Sequence, residues 1–193
     1  MDKATTILLA QAKAGSGDAL NHLFDHVAAR LLALIRLRMG PRLRMRMESR
    51  DILQASMMKA FERLEQLKGE SSASLMAWLA RIAENEIRDQ AEYLGRRRRD
   101  MDRNVSLNKN EDIALRAQVR SQVSQLVLTD EMKRLEKALE DLDPDHREII
   151  LLRKLEELSY KEIGRRLGKS ADACRMLLAR AMTALALEMK DSS

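Results

Sequence analysis

From Asp18 to Met39 the chain contains neither glycine nor proline, and Leu20, Leu23, Phe24, Val27, Leu31, Leu34 and Ile35 recur at intervals of three and four. That spacing gathers them on one stripe of an α-helix; on a strand it would scatter them over both faces. Sparse punctuation holds throughout, with only 2 prolines and 7 glycines in 193 residues. Leu, Ala, Met, Arg and Glu dominate, all strong helix formers, and β-branched runs are nearly absent. An all-α fold follows, and a 45% hydrophobic composition is enough to bury real cores.

Punctuation divides the chain. A short helix over residues 5–14 stops at Gly15-Ser16-Gly17, and Asp18 is placed to cap the next helix, which Gly40-Pro41 breaks. "RLRMRMESRD" alternates arginine with Leu or Met and reads as a basic helix edge or loop. Ser49 to Leu67 is a helix with Ile52, Leu53, Met57, Ala60, Phe61, Leu64 and Leu67 on its apolar side. Gly69 ends it, and a small polar loop runs to Ser74. The next helix buries Leu75, Trp78, Leu79, Ile82, Ile87 and Leu94, and Arg96–Arg99 follow its end. Residues 104–128 read as a linker. A helix after Thr129 runs to Asp143, which caps the next one with Pro144 at its first position.

Charge is uneven. Residues 1–103 carry 19 Lys and Arg against 14 Asp and Glu, while the remainder balances 16 against 16. The net +5 thus sits in the first half, a footprint compatible with nucleic acid. The run Arg96–Arg99 is either a solvated turn or a phosphate-contacting edge. Cys174 is alone, so no intrachain disulfide forms, and the three histidines lack zinc-site spacing. No cofactor is implied, and no nucleophile–base set or phosphate loop marks an enzyme. Without a signal-peptide layout or a membrane-length apolar run, a cytoplasmic protein with no membrane insertion is expected.

The last segment, "LSYKEIGRRLGKSADACRMLLARAMTALALEM", carries the densest local information. Ser159 and Glu162 fit a capping box, Gly168 fits a helix stop, and Ser170 caps a second helix. Cys174, Leu177, Leu178, Ala181 and Leu185 form its inward face, against Ile163 and Leu167. Asp172, Arg175, Met176, Ala179, Arg180 and Thr183 are left outward. This is the layout of a helix-turn-helix, whose outward arginines suit phosphates or guanine edges; an ordinary helical hairpin with a charged face has the same pattern.

Two blocks in order resemble the extracytoplasmic-function sigma factors of bacterial RNA polymerase. "ALNHLFDHVAARL", "SRDILQASMMKAFERLEQLKGES" and "AWLARIAENEIRDQAEYLGRRRRD" resemble sigma region 2. "LEDLDPDHREIILLRKLEELSYKEIGRRLGKSADACRMLLARAMTAL" resembles region 4. The resemblance implies two small helical domains: residues 1–103 (core polymerase docking, −10 recognition and melting) and 129–193 (−35 recognition), joined by linker 104–128.

It also implies roles. Asp51, Gln54, Met57, Met58, Lys59 and Arg63 would meet the β′ clamp helices of core polymerase, with one of the adjacent methionines inward and the other facing the partner. Gly69, Ser71, Ser72 and Ser74 would hold a base turned out of the −10 strand. Trp78 would stack on a base or pack in the core. Arg81, Asn85 and Arg88, at i, i+4 and i+7, would meet DNA. Arg96, Arg97, Arg98 and Arg99 would clamp phosphates without reading sequence. Glu84 stands where an uncharged residue is expected.

At the −35 element the resemblance places Arg175, Met176, Ala179 and Arg180, with Ser170 and Asp172 at the helix start. Lys161, Arg165, Arg166 and Lys169 would flank the DNA backbone. Implied partners are core RNA polymerase (β′ clamp helices and β flap), promoter DNA and an anti-sigma factor. Two further classes fit parts of the chain: a helix-turn-helix regulator acting on duplex DNA without polymerase, and a degenerate sigma-like protein that binds polymerase without initiating.

Overall fold

The computed structural model describes residues 3–69, 71–97 and 129–191, all helices and connecting turns. In order they are α1 (Lys3–Lys13), α2 (Gly17–Arg44), α3 (Ser49–Glu62), a 3-10 turn (Leu64–Gln66), α4 (Ser72–Arg97), α5 (Asp130–Asp141), α6 (Pro144–Ile150), a π-turn (Leu151–Leu155), α7 (Tyr160–Leu167) and α8 (Ala171–Asp191). The linker 104–128, Arg98 and Arg99 lie outside the described residues.

Helices α1 to α4 form one cluster. α1 lies on α2, and α2, α3 and α4 pack on one another. Every apolar residue of the α2 stripe named above is buried, and meets Ile52, Leu53, Met57, Leu75 and Leu79. Phe24 and Phe61 contribute a tilted ring pair with centroids 6.1 Å apart. Each such side chain stabilises the fold by roughly 1.5–3 kcal/mol relative to exposure.

Two local details of this cluster differ from expectation. The cap of α2 is Ser16, whose hydroxyl accepts from the Ala19 amide at 3.3 Å, and Asp18 falls in the first turn, facing the helix dipole. The break at Gly40-Pro41 is a kink inside α2. Gly40 has φ 65° and ψ 166°, a conformation open only to glycine, and Pro41 restarts the helix to Arg44.

α5, α6 and α7 pack on α8 in the second cluster. Thr129 caps α5 and Asp143 caps α6, its carboxylate accepting from the Asp145 amide at 2.9 Å. Past Ile150 α6 widens into the π-turn, and Glu157 beyond it stands at φ 57°. A non-glycine residue in the left-handed region costs about 1 kcal/mol. The inward face of α8 is as expected: Cys174, Leu177, Leu178, Ala181 and Leu185 are buried with Ile163.

The clusters also touch. α2 packs against α5 and the π-turn, and the buried apolar residues form one continuous set through both clusters.

Candidate nucleic-acid and partner interfaces

α7 and α8 owe their geometry to local hydrogen bonds. The Ser159 hydroxyl accepts from the Glu162 amide at 3.3 Å, and the Glu162 carboxylate accepts from the Ser159 amide at 2.8 Å. The Ser159 hydroxyl also donates to that carboxylate, and this bond, then the backbone one, holds the Glu162 carboxyl below its ordinary range. Gly168 takes the left-handed conformation at the end of α7, and Ser170 caps α8 by accepting from the Ala173 amide at 3.1 Å. Gly164 allows the tight turn between them, since a Cβ there would lie 2.5 Å from the Lys169 carbonyl oxygen.

The outward face of α8 is open. Met176 is 62% exposed, and Arg175, Ala179 and Arg180 are exposed beside it. Arg175 is preset by an ion pair to Asp172 and by its position 5.3 Å over the Tyr160 ring. Lys161, Arg165 and Ser170 are exposed, and Lys169 is paired with Asp145 at 3.4 Å. Arg166 does not flank this surface freely. It donates to Glu84 at 2.6 Å and to Glu156 at 3.1 Å.

On α4, Arg81, Asn85 and Arg88 share an exposed face, with Arg88 donating to Asn85 at 2.5 Å. The polar loop is shorter than expected, because Ser72 already begins α4. Ser71 accepts from the Ser74 amide at 3.1 Å, and the two hydroxyls share a 2.8 Å hydrogen bond. Ser72 is buried, which removes it from the set able to meet a base; Gly69, Ser71 and Ser74 remain at the surface. Trp78 is half-buried, its ring partly against the core and partly lining a cavity of about 440 Å³ with Ser74, Arg81 and Glu162. Arg96 and Arg97 fall within the last turn of α4 instead of following it.

α3 exposes Asp51 and Arg63 and half-exposes Gln54. Met57 and Met58 are both buried, so neither methionine is presented to a partner in this conformation; α4 and α2 cover both sides of the helix. Lys59 is drawn inward to Glu86, a buried carboxylate that also accepts from Gln90 at 3.0 Å.

The sequence reading missed the seam between the clusters. Arg30 of α2 donates to Glu157 at 2.7 Å and to the Lys154 carbonyl at 3.1 Å. Arg36 grips Glu136 with two nitrogens, one at 2.8 Å, and Arg44 pairs with Glu140. Arg38 meets Glu148, Glu156 at 2.9 Å and Glu84 at 3.4 Å. Burial opposes the charge on Arg38, yet its hydrogen bonds to Glu148 and Glu156 outweigh that and hold the guanidinium pKa above its ordinary value. The available signal was Glu136 and Glu140 at i,i+4 on an amphipathic helix, facing a chain whose α2 carries more arginine than its own acids balance.

Among the described residues no helix is long and apolar enough to cross a membrane, and no group of three His, Cys, Asp or Glu side chains is placed to hold a metal.

A helical cluster is followed by a second one with helix-turn-helix layout and an open, arginine-bearing outward face, the class of all-α chain built of two such units. Residues 23–99 match the family model for sigma-70 region 2, and residues 132–185 match that for sigma-70 region 4. The extracytoplasmic-function sigma-E factor of Salmonella typhimurium is 32% identical over 114 residues, 58% of this chain and 59% of that protein. The match thus spans less than two thirds of that relative's length. A solved structure of CnrH in complex with the cytosolic domain of CnrY shares the fold, with TM-score 0.55 and 24% identity over 99% of this chain and 100% of that one. Another, RpoE with the anti-sigma factor NepR from Bartonella quintana, has TM-score 0.51 and 22% identity over 86% of this chain and 94% of that one. The chain belongs to the sigma-70 family.

Proposed function

We propose that this chain is an alternative sigma factor, directing core RNA polymerase to specific promoters and initiating transcription without a catalytic site of its own. The observation that carries the reading is the open face of α8. Arg175, Met176, Ala179 and Arg180 stand exposed on a helix capped by Ser170, in a chain that also carries the family's region 2. In this reading α8 meets the −35 duplex in the major groove, where an arginine matching a guanine edge gives roughly 1–3 kcal/mol of discrimination. Met176 and Ala179 offer apolar contact to thymine methyls. α3 and its C-cap, through Asp51, Gln54 and Arg63, dock on the β′ clamp helices, and α8's domain meets the β flap.

The −10 strand runs over α4. A flipped base sits by Ser71 and Ser74, while Arg81, Asn85 and Arg88 track the strand and Arg96–Arg99 hold phosphates. Phosphate contacts of that kind weaken steeply with salt. A protein inhibitor is also proposed as a partner, supported by the inhibitor-bound form of the Bartonella quintana protein that shares the fold.

The test is co-migration of the purified chain with core polymerase, followed by promoter opening on random DNA pools. Core binding with opening of a selected sequence supports a sigma factor. Duplex binding with no affinity for core refutes it in favour of an autonomous regulator, and core binding with no opened DNA refutes initiation.

A further inference from the structure

α1 lies wholly outside the stretch that matches the region 2 model, which begins at residue 23. It is nonetheless built into the first cluster. Leu9 and Ala12 are buried, α1 lies on α2, and the chain turns at Gly15 with φ 92°. Lys13 is the last residue of this anchored helix. Its ammonium donates to the Leu67 carbonyl at 2.9 Å and to the Gly69 carbonyl at 3.3 Å. Both carbonyls lie between the 3-10 turn and α4, outside any helix. The bond to Leu67 is partly buried, and a buried carbonyl left without a donor is costly.

The segment that Lys13 holds is also a wall of the place proposed for the turned-out base. Leu67 and Lys68 line the cavity of about 440 Å³ together with Ser74, Trp78 and Arg81. Gly69 stands against Ser74: its φ is 106°, and a Cβ on it would lie 2.7 Å from the Ser74 hydroxyl oxygen. Ser74 is tied in turn to Ser71 through their 2.8 Å hydroxyl pair. The serine pair sets the α4 side of this cavity. Lys13 sets the other side, from a helix 54 residues away in sequence.

We propose that Lys13 is a positioning residue for promoter opening: by holding the Leu67 and Gly69 carbonyls it keeps the cavity beside Ser74 and Trp78 in the shape that receives the turned-out −10 base. The proposal rests on the sigma reading for the identity of that base. Extrusion of a base has to be offset by stacking and hydrogen bonds in the pocket that takes it. A wall ordered beforehand adds no ordering cost at that moment. Lys13 acts through the loop and not on the nucleic acid, because its ammonium is turned to the two carbonyls.

Polymerase loaded with the full chain is tested on a promoter recovered from the random pool. It is also tested on that promoter with each other base at the −10 position where the pool is most constrained. Wild type, Lys13→Met and Lys13→Arg are compared. Opening is read by permanganate reactivity of unpaired thymines elsewhere in the opened stretch, beside core affinity and the salt dependence of promoter binding. Lys13→Met keeps an unbranched apolar stem without its donors, and is expected to cut opening of the selected promoter about tenfold. Promoters already carrying another base there should open as they do with wild type, so the base preference flattens. Core affinity and salt dependence should stay unchanged, and Lys13→Arg, a donor of the same charge, should restore opening.

Opening by Lys13→Met equal to wild type overturns the proposal. So does a loss equal for every base, which would mean a general weakening of the cluster. A shallower salt dependence overturns it as well, because Lys13 would then be meeting a phosphate directly. Failure of Lys13→Arg to restore opening has the same force. If Lys13→Met fails to fold, Lys13→Gln, which keeps an amide donor, must show a smaller loss with the same base selectivity, or the proposal falls. A wild-type chain that binds core yet opens no promoter refutes the sigma reading and this proposal with it. One that opens promoters no better than Lys13→Met refutes the positioning role alone.

Discussion

Arg166 of α7 donates to Glu84 of α4 at 2.6 Å, tying the helix before the recognition helix to the helix proposed to meet the −10 strand. The two residues lie 82 positions apart, and neither is part of a hydrophobic core. Their pairing, and the paths of both to Arg38 and Glu156, make the junction of the units polar at its heart.

Arg166→Ala tests that junction against the role the resemblance implies for this residue. A −35 backbone contact would make the substitution weaken duplex binding. The geometry predicts instead a loss of about 1 kcal/mol in urea unfolding, with duplex binding unchanged, since the partly exposed guanidinium is spent on Glu84 and Glu156. Equilibrium unfolding and duplex titration on the same preparation decide between the two.

Glu156→Ala should be far more damaging. It leaves Arg38, 17% exposed in its side chain, short of a buried carboxylate and removes a partner of Arg166. Breaking a buried pair from one side costs about 3–5 kcal/mol, and Arg38 retains Glu148, so a loss of about 3 kcal/mol is expected. A loss under about 1 kcal/mol would show that the seam is solvated in solution.

What the sequence made legible was local. The capping box at Ser159 and Glu162, the Asp143 cap and the inward set on α8 depend on residues within one or two turns, and all are found as read. Met57 and Met58 show the limit, because whether an adjacent pair splits between core and surface depends on how far α2 and α4 wrap α3. The seam was illegible for the same reason. Arg36 of α2 and Arg44 of "RLRMRMESRD" were plain in the sequence, but the carboxylates that receive them come from α5, at the far side of the linker. Ser16 displacing Asp18 as cap, and Ser72 joining α4, are shifts of one or two residues at helix ends, where boundaries are least determined by pattern.

The proposed interfaces separate by mutation. Arg180→Ala should weaken binding to the selected −35 duplex by about 1–3 kcal/mol while core polymerase binding persists. Asp51→Ala with Gln54→Ala should do the reverse. All three residues are at or near the surface, so thermal unfolding should not move in either variant. A drop in core binding by Arg180→Ala would sink the assignment of faces.

The capping box should leave a pH signature. The folded-state pKa of Glu162 is lowered from 4.5, chiefly by the Ser159 hydroxyl and then by its amide. A carboxyl lowered on folding contributes stability that is fully present above its unfolded pKa and lost as pH falls through the folded one. Wild type and Ser159→Ala should therefore differ most near neutral pH, by about 1 kcal/mol for the lost cap, and converge as pH drops below 4.5. Chemical unfolding at a series of pH values reads the difference directly, and a constant offset across that range would mean the hydroxyl acts only as a neutral cap.

Gly164 offers the sharpest test of the helix-turn-helix itself. Its Cβ position lies 2.5 Å from the Lys169 carbonyl oxygen, a backbone atom held by the Gly168 turn and unable to swing aside as a side chain would. Gly164→Ala must push α7 and α8 apart, at a cost of about 1–3 kcal/mol typical of overpacking. The displacement should move the outward face of α8 relative to Ser159 and Lys161, weakening duplex binding beyond what the loss of stability explains. Core docking through α3 should survive, because α3 packs within the first cluster. If Gly164→Ala left both stability and duplex affinity unchanged, the turn would not have the close approach on which the recognition geometry depends.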